Sequence, residues 1–251
     1  MPRIALDGVD MDFQIHIAGT NRLLHPKTLH SFLGGRLNVM SGRRVILNAL
    51  RDISLEIGNG ERLGIIGHNG SGKSTLLRVL AGIYHPTRGT VVREGRVSPL
   101  FNISLGMSED LTGYENIEIG CLLFGMRPRE IFGAIPEIEE FTELGEYLNL
   151  PMRTYSDGMK ARLSFAIATA RAPEILLLDE GIGAGDLVFR EKVTKRMNRF
   201  VDQSKILVLA SHSRELLKEM CSAAIVLERG QTVYRGGVDE AFAYYSERVH
   251  A

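Results

Sequence analysis

The stretch at residues 67–75, GHNGSGKST, constrains the fold of this chain more than any other. It fits the pattern G-x-x-x-x-G-K-[ST], in which glycines let successive backbone N–H groups turn inward around a chain of phosphates. Residues 61–66 (ERLGII) precede it as a short buried strand, and residues 76–80 (LLRVL) continue it as a helix. Strand, Gly-rich loop and helix in this order predict a P-loop that binds a nucleoside triphosphate.

The polar groups of this loop have separate predicted tasks. The helix that follows adds the positive end of its dipole. Lys73 reaches the outer phosphates, and the Ser74 hydroxyl is a candidate ligand for Mg²⁺. The residues predicted to bind the nucleotide here are Gly67, His68, Asn69, Gly70, Ser71, Gly72, Lys73, Ser74 and Thr75.

Composition narrows the class of protein. The chain has 251 residues, of which 44% are hydrophobic and 24% charged, as in an ordinary globular protein. Its 30 basic and 30 acidic residues cancel, so no excess of positive charge favours nucleic acid as a partner. Cys121 and Cys221 lie far apart in apolar runs, which argues against a disulfide framework or a zinc site.

Nothing in the sequence predicts a membrane-inserted segment. The first residues lack the charged start and apolar stretch of a signal peptide. No apolar run approaches the roughly 20 residues that a spanning helix requires. We therefore expect a cytosolic protein whose membrane role, if it has one, comes through a partner.

Two strands are predicted ahead of the P-loop, at residues 4–13 and 49–57, with a tight turn at residues 59–60.

Between these strands lies a long insertion, residues 14–48. Apolar residues recur there at spacings of three and four, which favours an amphipathic helix. They are Leu29, Phe32, Leu33, Leu37 and Met40.

This insertion is also basic, with no acidic residue between Asp12 and Asp52. Two interpretations stay open. The helix covers its own sheet, or it is an interfacial helix that contacts a partner near anionic headgroups.

The remainder of the chain alternates between sheet and helix. Strands are predicted at residues 89–93 and 95–100, and a helical region at residues 101–171 interrupts the sheet. Further strands are predicted at residues 174–178, 205–210 and 224–228, with helices between them and a short closing helix near residues 240–245.

These elements predict an α/β fold: a P-loop NTPase core of the RecA-like kind, an N-terminal antiparallel β subdomain and an inserted α-helical subdomain. The predicted divisions of the single domain 1–251 are the core with its β subdomain at 1–100 and 172–251, the helical subdomain at 101–171 and the basic insertion at 14–48.

An acid pair, Asp179–Glu180, ends the apolar run ILLL at residues 175–178. A pair of acids at a strand end is by itself an ordinary solvated turn. Behind a buried strand and downstream of a P-loop, however, Asp179 is placed to hold Mg²⁺ opposite Ser74. Glu180 is then the candidate that orients or deprotonates the attacking water.

Residues 155–159, YSDGM, precede an amphipathic helix and stand about twenty residues before the acid pair. In this position the chain resembles the ATP-binding-cassette family, whose members carry an LSGGQ-type signature there. The resemblance implies that Ser156 and Gly158 cover the γ-phosphate of an ATP held by a second subunit. It also implies that ATP and Mg²⁺ are the cofactors.

Three more residues receive roles from this resemblance. His212, in the sequence ASHS, matches the switch histidine that contacts the γ-phosphate, and Asp186, in GAGD, matches the segment that crosses to the other subunit. Phe13 fits the place where an aromatic ring stacks on adenine. An aromatic residue that ends a strand is as often part of the core, so both roles stay open for Phe13.

Within the family, the chain is most similar along its whole length to the ATPase subunits of bacterial polysaccharide exporters of the O-antigen, capsule and teichoic-acid type. The shared traits are YSxGM followed by RLSFA, DE followed by GAGD, and LTGYEN at residues 111–116. The resemblance implies a peripheral ATPase at the cytoplasmic face of the inner membrane. It implies a homodimer, a permease dimer as partner and a polysaccharide cargo, with no nucleic acid.

Three other functions are compatible with parts of this sequence. The same fold could serve another cargo, such as a different glycan, a lipid or a drug. A soluble cassette of translation or DNA repair would be expected to carry two cassettes, a coiled-coil insert or a basic excess. A nucleotide kinase would need an acceptor pocket and lid arginines in place of YSDGM.

Two positions depart from the family pattern. Most cassettes have a glutamine after the strand that ends near Leu100, whereas this chain offers only Asn102 or Ser104. Asp157 stands where a small residue is usual. A carboxylate favours a helix N-terminus but repels a γ-phosphate, so we expect the closed dimer to form less readily.

Overall fold

The computed structural model describes residues 1–16, 37–39, 44–101, 106–179 and 187–249. The chain forms two compact units. Unit 1 comprises residues 1–95, 178–180 and 206–251, and unit 2 comprises residues 96–177 and 181–205.

The strands are β1 Arg3–His16, β2 Leu37–Val39, β3 Arg44–Ile57, β4 Arg62–Ile66, β5 Arg88–Glu94, β6 Val97–Pro99, β7 Ile175–Asp179, β8 Ile206–Ala210, β9 Ala223–Glu228 and β10 Gln231–Gly236. The α-helices are α1 Lys73–Leu80, α2 Gly113–Leu123, α3 Pro128–Thr142, α4 Asp157–Ala168, α5 Leu187–Gln203, α6 Arg214–Met220 and α7 Val238–Val249.

An antiparallel sheet of unit 1 has the strand order β2-β3-β1-β5. Ile4 and Leu6 of β1 are buried, as the period of two along a strand predicts, and burial continues at Val9 after a register shift between Leu6 and Val9. Both predicted N-terminal strands are longer than the sequence indicated. β1 continues to His16 and β3 begins at Arg44, with His16 paired to Arg44. The sheet therefore extends into the basic segment of residues 14–48.

The amphipathic helix predicted in that segment is wrong at Leu37, which lies in β2 opposite Leu47 of β3. Strand pairing explains the difference. The early start of β3 provides a free edge, and hydrogen bonding to that edge overrides a spacing of three and four. The other residues of the predicted helix, Leu29, Phe32, Leu33 and Met40, lie outside the described residues.

The second sheet of unit 1 carries the P-loop. Its strand β4 lies between β8 and β9, parallel to both, and β10 pairs antiparallel with β9. All five residues of β8 are buried, and so are Leu63, Ile65 and Ile66 of β4. A strand that is buried on both faces has a continuous apolar sequence, and such apolar runs predicted these strands. The carboxyl ends of the neighbouring β4 and β8 lead into the P-loop and into His212.

Unit 2 holds the predicted helical region together with α5 and a short parallel pair of strands, β6 and β7. Its helices share an apolar core in which Phe141 contacts both Phe165 and Phe189, with ring centroids 5.7 Å and 5.1 Å apart. The Arg196 guanidinium lies 4.5 Å from the Phe141 ring centroid, and burial lowers the pKa of Arg196. Two prolines divide the predicted helical region: α3 begins at Pro128, and Pro151 separates two 3₁₀ turns.

Cys121 and Cys221 are both buried as free thiols. Burial raises the pKa of Cys121 to about 11 and that of Cys221 to about 12. Along the parts of the chain that the structure describes, no helix has the length and apolar character needed to cross a membrane.

Candidate nucleotide site

The P-loop runs from the end of β4 at Ile66 to the start of α1 at Lys73. A β-carbon at Gly67 would lie 2.3 Å from the carbonyl oxygen of Leu227, so only glycine fits there. Gly72 has φ +113°, a backbone conformation that side chains other than glycine disfavour. The glycine pattern of the sequence therefore has two separate causes, close approach to β9 at Gly67 and a left-handed backbone at Gly72.

Lys73 lies at the centre of a small set of polar contacts. Its ammonium donates to the carbonyl oxygens of Gly67 at 2.5 Å and of His68 at 3.1 Å. Nε2 of His212 lies 3.3 Å from Lys73 Nζ and 3.2 Å from Oδ1 of Asn69. The structure thus brings His212, from the end of β8, to the P-loop of the same chain.

Ser74 donates its hydroxyl to Oδ2 of Asp179 at 2.8 Å, although the two residues are far apart in sequence. A hydroxyl oxygen beside a carboxylate is the donor set that Mg²⁺ prefers when it also keeps water and substrate phosphates as ligands. The residues present therefore fit a magnesium ion held jointly by Ser74, Asp179 and a bound nucleotide. Among the described residues, no cluster of three or more His, Cys, Asp or Glu forms a metal cage of its own.

A cavity of about 460 Å³ opens over the P-loop. Its volume falls in the range of small-molecule and cofactor sites. The lining residues are Phe13, Leu47, Ala49, Asn69, Gly70, Gly72, Lys73, Ser74, Thr75, Asp179 and His212.

Phe13 lies in the wall of this cavity and is only half-buried, which favours the binding role over the core role. Its ring meets Tyr84 edge to face, with centroids 5.4 Å apart and planes at 75°. Leu47 and Ala49 of β3 form the adjoining wall and were missed by sequence reasoning. The apolar alternation of β3 was the available signal for them, but only Ala49 falls in the predicted strand 49–57, and Leu47 falls in the predicted insertion 14–48.

Three predicted P-loop residues do not line the cavity. Gly67 and His68 contribute carbonyl groups that hold Lys73, and the His68 side chain faces another cavity. Ser71 is fully buried, its backbone N–H donates to His68 O at 3.0 Å, and its hydroxyl has no hydrogen-bond partner. The backbone of Ser71, and not its hydroxyl, shapes the loop.

Ser156 and Gly158 belong to unit 2 and are not among the residues that line this cavity. Ser156 caps the N-terminus of α4 by accepting a hydrogen bond from the Met159 N–H at 3.3 Å. Ser156, Asp157 and Gly158 are all exposed, so the N-terminal end of α4 presents a hydroxyl and a carboxylate to solvent. Glu180, Asp186, Asn102 and Ser104 lie outside the described residues.

A phosphate-binding loop at the carboxyl end of a buried parallel strand, with a hydroxyl and a carboxylate beside it, defines the class of P-loop nucleoside triphosphatases. The family model described as ABC transporter matches residues 50–183, which include the P-loop, the YSDGM segment and the acid pair. The chain belongs to the ABC transporter family and is an ATPase of that family.

Curated relatives agree with this assignment, and solved structures share the fold. The chain is 45% identical to the O-antigen export system ATP-binding protein RfbE of Yersinia enterocolitica, over 95% of this chain and 99% of that protein. It is 41% identical to the teichoic acids export ATP-binding protein TagH of Listeria innocua, over 80% of this chain and 60% of TagH. The fold matches the dimeric, post-hydrolysis state of the ATP-binding cassette MJ0796 bound to ADP and Pi, with a TM-score of 0.64 and 21% identity over 94% of this chain and 98% of that one.

Proposed function

We propose that this protein is the ATP-hydrolysing subunit of an exporter that moves a polysaccharide through a membrane permease. One observation carries the nucleotide part of the proposal: Lys73, Ser74, Asp179 and His212 converge in one cavity whose wall includes Phe13. In this arrangement Lys73 exchanges its loop carbonyl partners for β- and γ-phosphate oxygens. His212 contacts the γ-phosphate, and Phe13 stacks on the adenine ring.

Magnesium is proposed as the second cofactor. Ser74 and Asp179 would hold the ion, since their hydroxyl and carboxylate oxygens already lie 2.8 Å apart. The ion supplies charge neutralisation to the phosphates when it is bound. Glu180, the next residue after Asp179, is proposed to orient and deprotonate the attacking water.

The active form is proposed to be a homodimer. Ser156 and Gly158 stand at the exposed start of α4, where free backbone N–H groups and the helix dipole suit a phosphate. Neither residue lines the nucleotide cavity of its own chain, so a second copy supplies them in the proposal, and Asp186 contacts that copy. The predicted helical subdomain, residues 101–171, would then present this signature to the partner.

Polysaccharide is the cargo best supported by the relatives. RfbE, which matches nearly the full length of this chain, is named as an O-antigen export protein, and TagH as a teichoic acids export protein. We place the subunit at the cytoplasmic face of the inner membrane, bound to a permease dimer. Teichoic acid is the second candidate cargo. O-antigen is favoured because the match to RfbE covers a larger share of this chain and of the relative than the match to TagH does.

Deletion of the gene in its own host tests the cargo. We expect surface polysaccharide to disappear and glycan to accumulate inside the cell, because synthesis continues while export stops. The wild-type gene should restore export, and so should a Lys205→Ala variant, whose exposed lysine lies outside the nucleotide cavity. Lys73→Ala should fail to restore it. Normal surface glycan in the deletion strain would contradict the polysaccharide proposal and leave the ATPase assignment untouched.

A further inference from the structure

A second cavity of about 250 Å³ adjoins the P-loop on the side of the His68 ring. We propose that this cavity binds a small phosphate-bearing ligand and that its occupancy changes the affinity of the neighbouring site for ATP. Six residues that line it carry the proposal: His68, Leu227, Glu228, Arg229, Tyr245 and Arg248. All of them belong to unit 1.

The cavity has an apolar floor and a cationic rim. Leu227 is fully buried beneath it, while Arg229 and Arg248 are exposed at its edge. Glu228 neutralises Arg248 in an ion pair of 3.2 Å. Within the described part of the chain, Arg229 has no salt bridge, so its guanidinium fork is available to an anion such as a phosphate. His68 and Tyr245 add hydrogen-bonding side chains to the lining, and Nδ1 of His68 already lies 2.7 Å from the Asn69 carbonyl oxygen.

The backbone holds Arg229 at this rim in an unfavourable conformation. Arg229 and Gly230 form the two-residue turn between β9 and β10, with φ +48° and +80°. A turn of this kind prefers Asn-Gly, and an arginine with positive φ is strained. Strained residues persist where the surroundings fix them, and they are found preferentially at binding sites.

The surroundings do fix this turn, and they include the P-loop itself. The Gly230 N–H donates to the Ser71 carbonyl at 2.8 Å, and the Gly230 carbonyl accepts from the Arg51 N–H at 2.8 Å. The turn that carries Arg229 is therefore bonded directly to the loop that binds the nucleotide.

His68 provides a second connection. Its ring lines this cavity, while its carbonyl oxygen accepts a hydrogen bond from the Lys73 ammonium. A ligand that draws the His68 ring or the Arg229 turn inward alters the carbonyl positions that hold Lys73. Coupling between the two sites follows from these shared residues, without a change elsewhere in the fold.

The size of the cavity limits the ligand. Its volume equals that of about eight liquid water molecules, and it lies just below the usual range for drug-sized ligands. Inorganic phosphate, or a phosphate ester with a small polar group, fits this volume and the charge of the rim.

Phosphate binding is testable once the P-loop is filled. The protein is saturated with Mg²⁺ and a non-hydrolysable ATP analogue, and inorganic phosphate is titrated at constant ionic strength by calorimetry. The NMR signals of the His68 ring report the location. We expect one saturable phosphate per chain and a shift of the His68 signals. Arg229→Gln should weaken binding by roughly tenfold or more, since a charged bidentate contact is lost.

Arg235→Gln is the matched control. Arg235 is an exposed arginine of the same hairpin, it pairs with Glu61 at 2.7 Å, and it does not line the cavity. The Arg235→Gln variant should bind phosphate as the wild type does.

The Arg229→Gly variant gives a second test, whose expected result cannot be produced by misfolding. It should raise the melting temperature, because glycine relieves the positive φ, and yet lose phosphate binding.

The coupling is measured by repeating the analogue titration with and without phosphate. The analogue affinity should depend on phosphate in the wild type and in Arg235→Gln, and not in Arg229→Gln. Absence of saturable binding, or equal binding by Arg229→Gln, would overturn the proposal. The binding measurement does not depend on the transport function proposed above, because it requires no hydrolysis, cargo or permease.

Discussion

At the scale of single residues, the P-loop holds the positively charged Lys73 ammonium where a phosphate can bind. The ammonium is held by two carbonyl oxygens and lies beside His212. A phosphate that displaces the two carbonyl oxygens gains a charge-assisted contact with this ammonium. The glycine at position 67 is essential for this arrangement, since any side chain there would collide with Leu227.

Phe13 gives the first residue-scale prediction. Replacing it by alanine should weaken ATP binding by about tenfold or more, since stacking of a base on an aromatic ring contributes roughly 1–3 kcal/mol. Phe13→Trp should keep the affinity, because it preserves the stacking surface. Fluorescent-nucleotide titration measures both variants.

Tyr84 supplies the control for this prediction. It packs edge to face against Phe13 but does not line the cavity. If Phe13 acts only as packing, Tyr84→Ala should weaken ATP binding as strongly as Phe13→Ala. A clearly smaller effect of Tyr84→Ala supports adenine stacking, whereas equal effects would contradict it.

The sequence motifs predicted which side chains lie near each other in the site. Ser74 and Asp179 were expected to meet, and they lie in hydrogen-bond contact. Prediction from the sequence failed where roles depend on strand register. Leu47 lies ahead of the predicted strand 49–57 because β3 starts early, and Ala49 lies inside that strand, so the register of β3 is what brings both residues to the cavity wall. Leu37 was assigned to a helix for the same reason.

At the scale of elements, the start of α2 explains the segment LTGYEN, residues 111–116. Thr112 and Glu115 form a reciprocal capping box. Hydrogen bonds from the N–H and hydroxyl of Thr112 lower the pKa of Glu115 below its ordinary value. Because the folded pKa is depressed, this stabilisation is present above the unfolded pKa and is lost as pH falls through the folded pKa.

Asn116 gives the prediction at this scale. It is fully buried, its amide NH₂ donates to the carbonyls of Ser108, Leu111 and Thr112, and its oxygen accepts from the Ser108 N–H. Asn116→Ala leaves these buried groups without partners and should lower the free energy of unfolding by about 3 kcal/mol. Urea denaturation measures the change.

Glu118 is the matched position for Asn116. It lies on the same helix with an exposed side chain, and Glu118→Ala should change stability by no more than about 0.5 kcal/mol. If Asn116→Ala lowered the free energy of unfolding as little as Glu118→Ala, the conformation of residues 111–116 would depend on packing and not on the hydrogen bonds of the Asn116 amide.

At the scale of the whole molecule, the nucleotide cavity and the YSDGM segment belong to different compact units. The buried strands and the helical insert were predictable because their apolar runs and periodicities are local signals. No local sequence pattern indicates how many copies of the chain are needed to complete the nucleotide site. In our account, the P-loop of one chain binds ATP and the exposed start of α4 from another chain closes over it.

The most direct test of this account is sedimentation velocity of the Glu180→Gln variant, with Glu191→Gln as the control for an acid lost elsewhere. Removing the carboxylate that we propose to activate the attacking water should nearly abolish ATP turnover, and bound ATP should then hold two copies together. With ATP and Mg²⁺ we predict a species of about twice the 27.8 kDa of one chain, and with ADP a monomer. A Glu180→Gln protein that hydrolyses ATP normally, or stays monomeric at saturating ATP, would contradict the central claim.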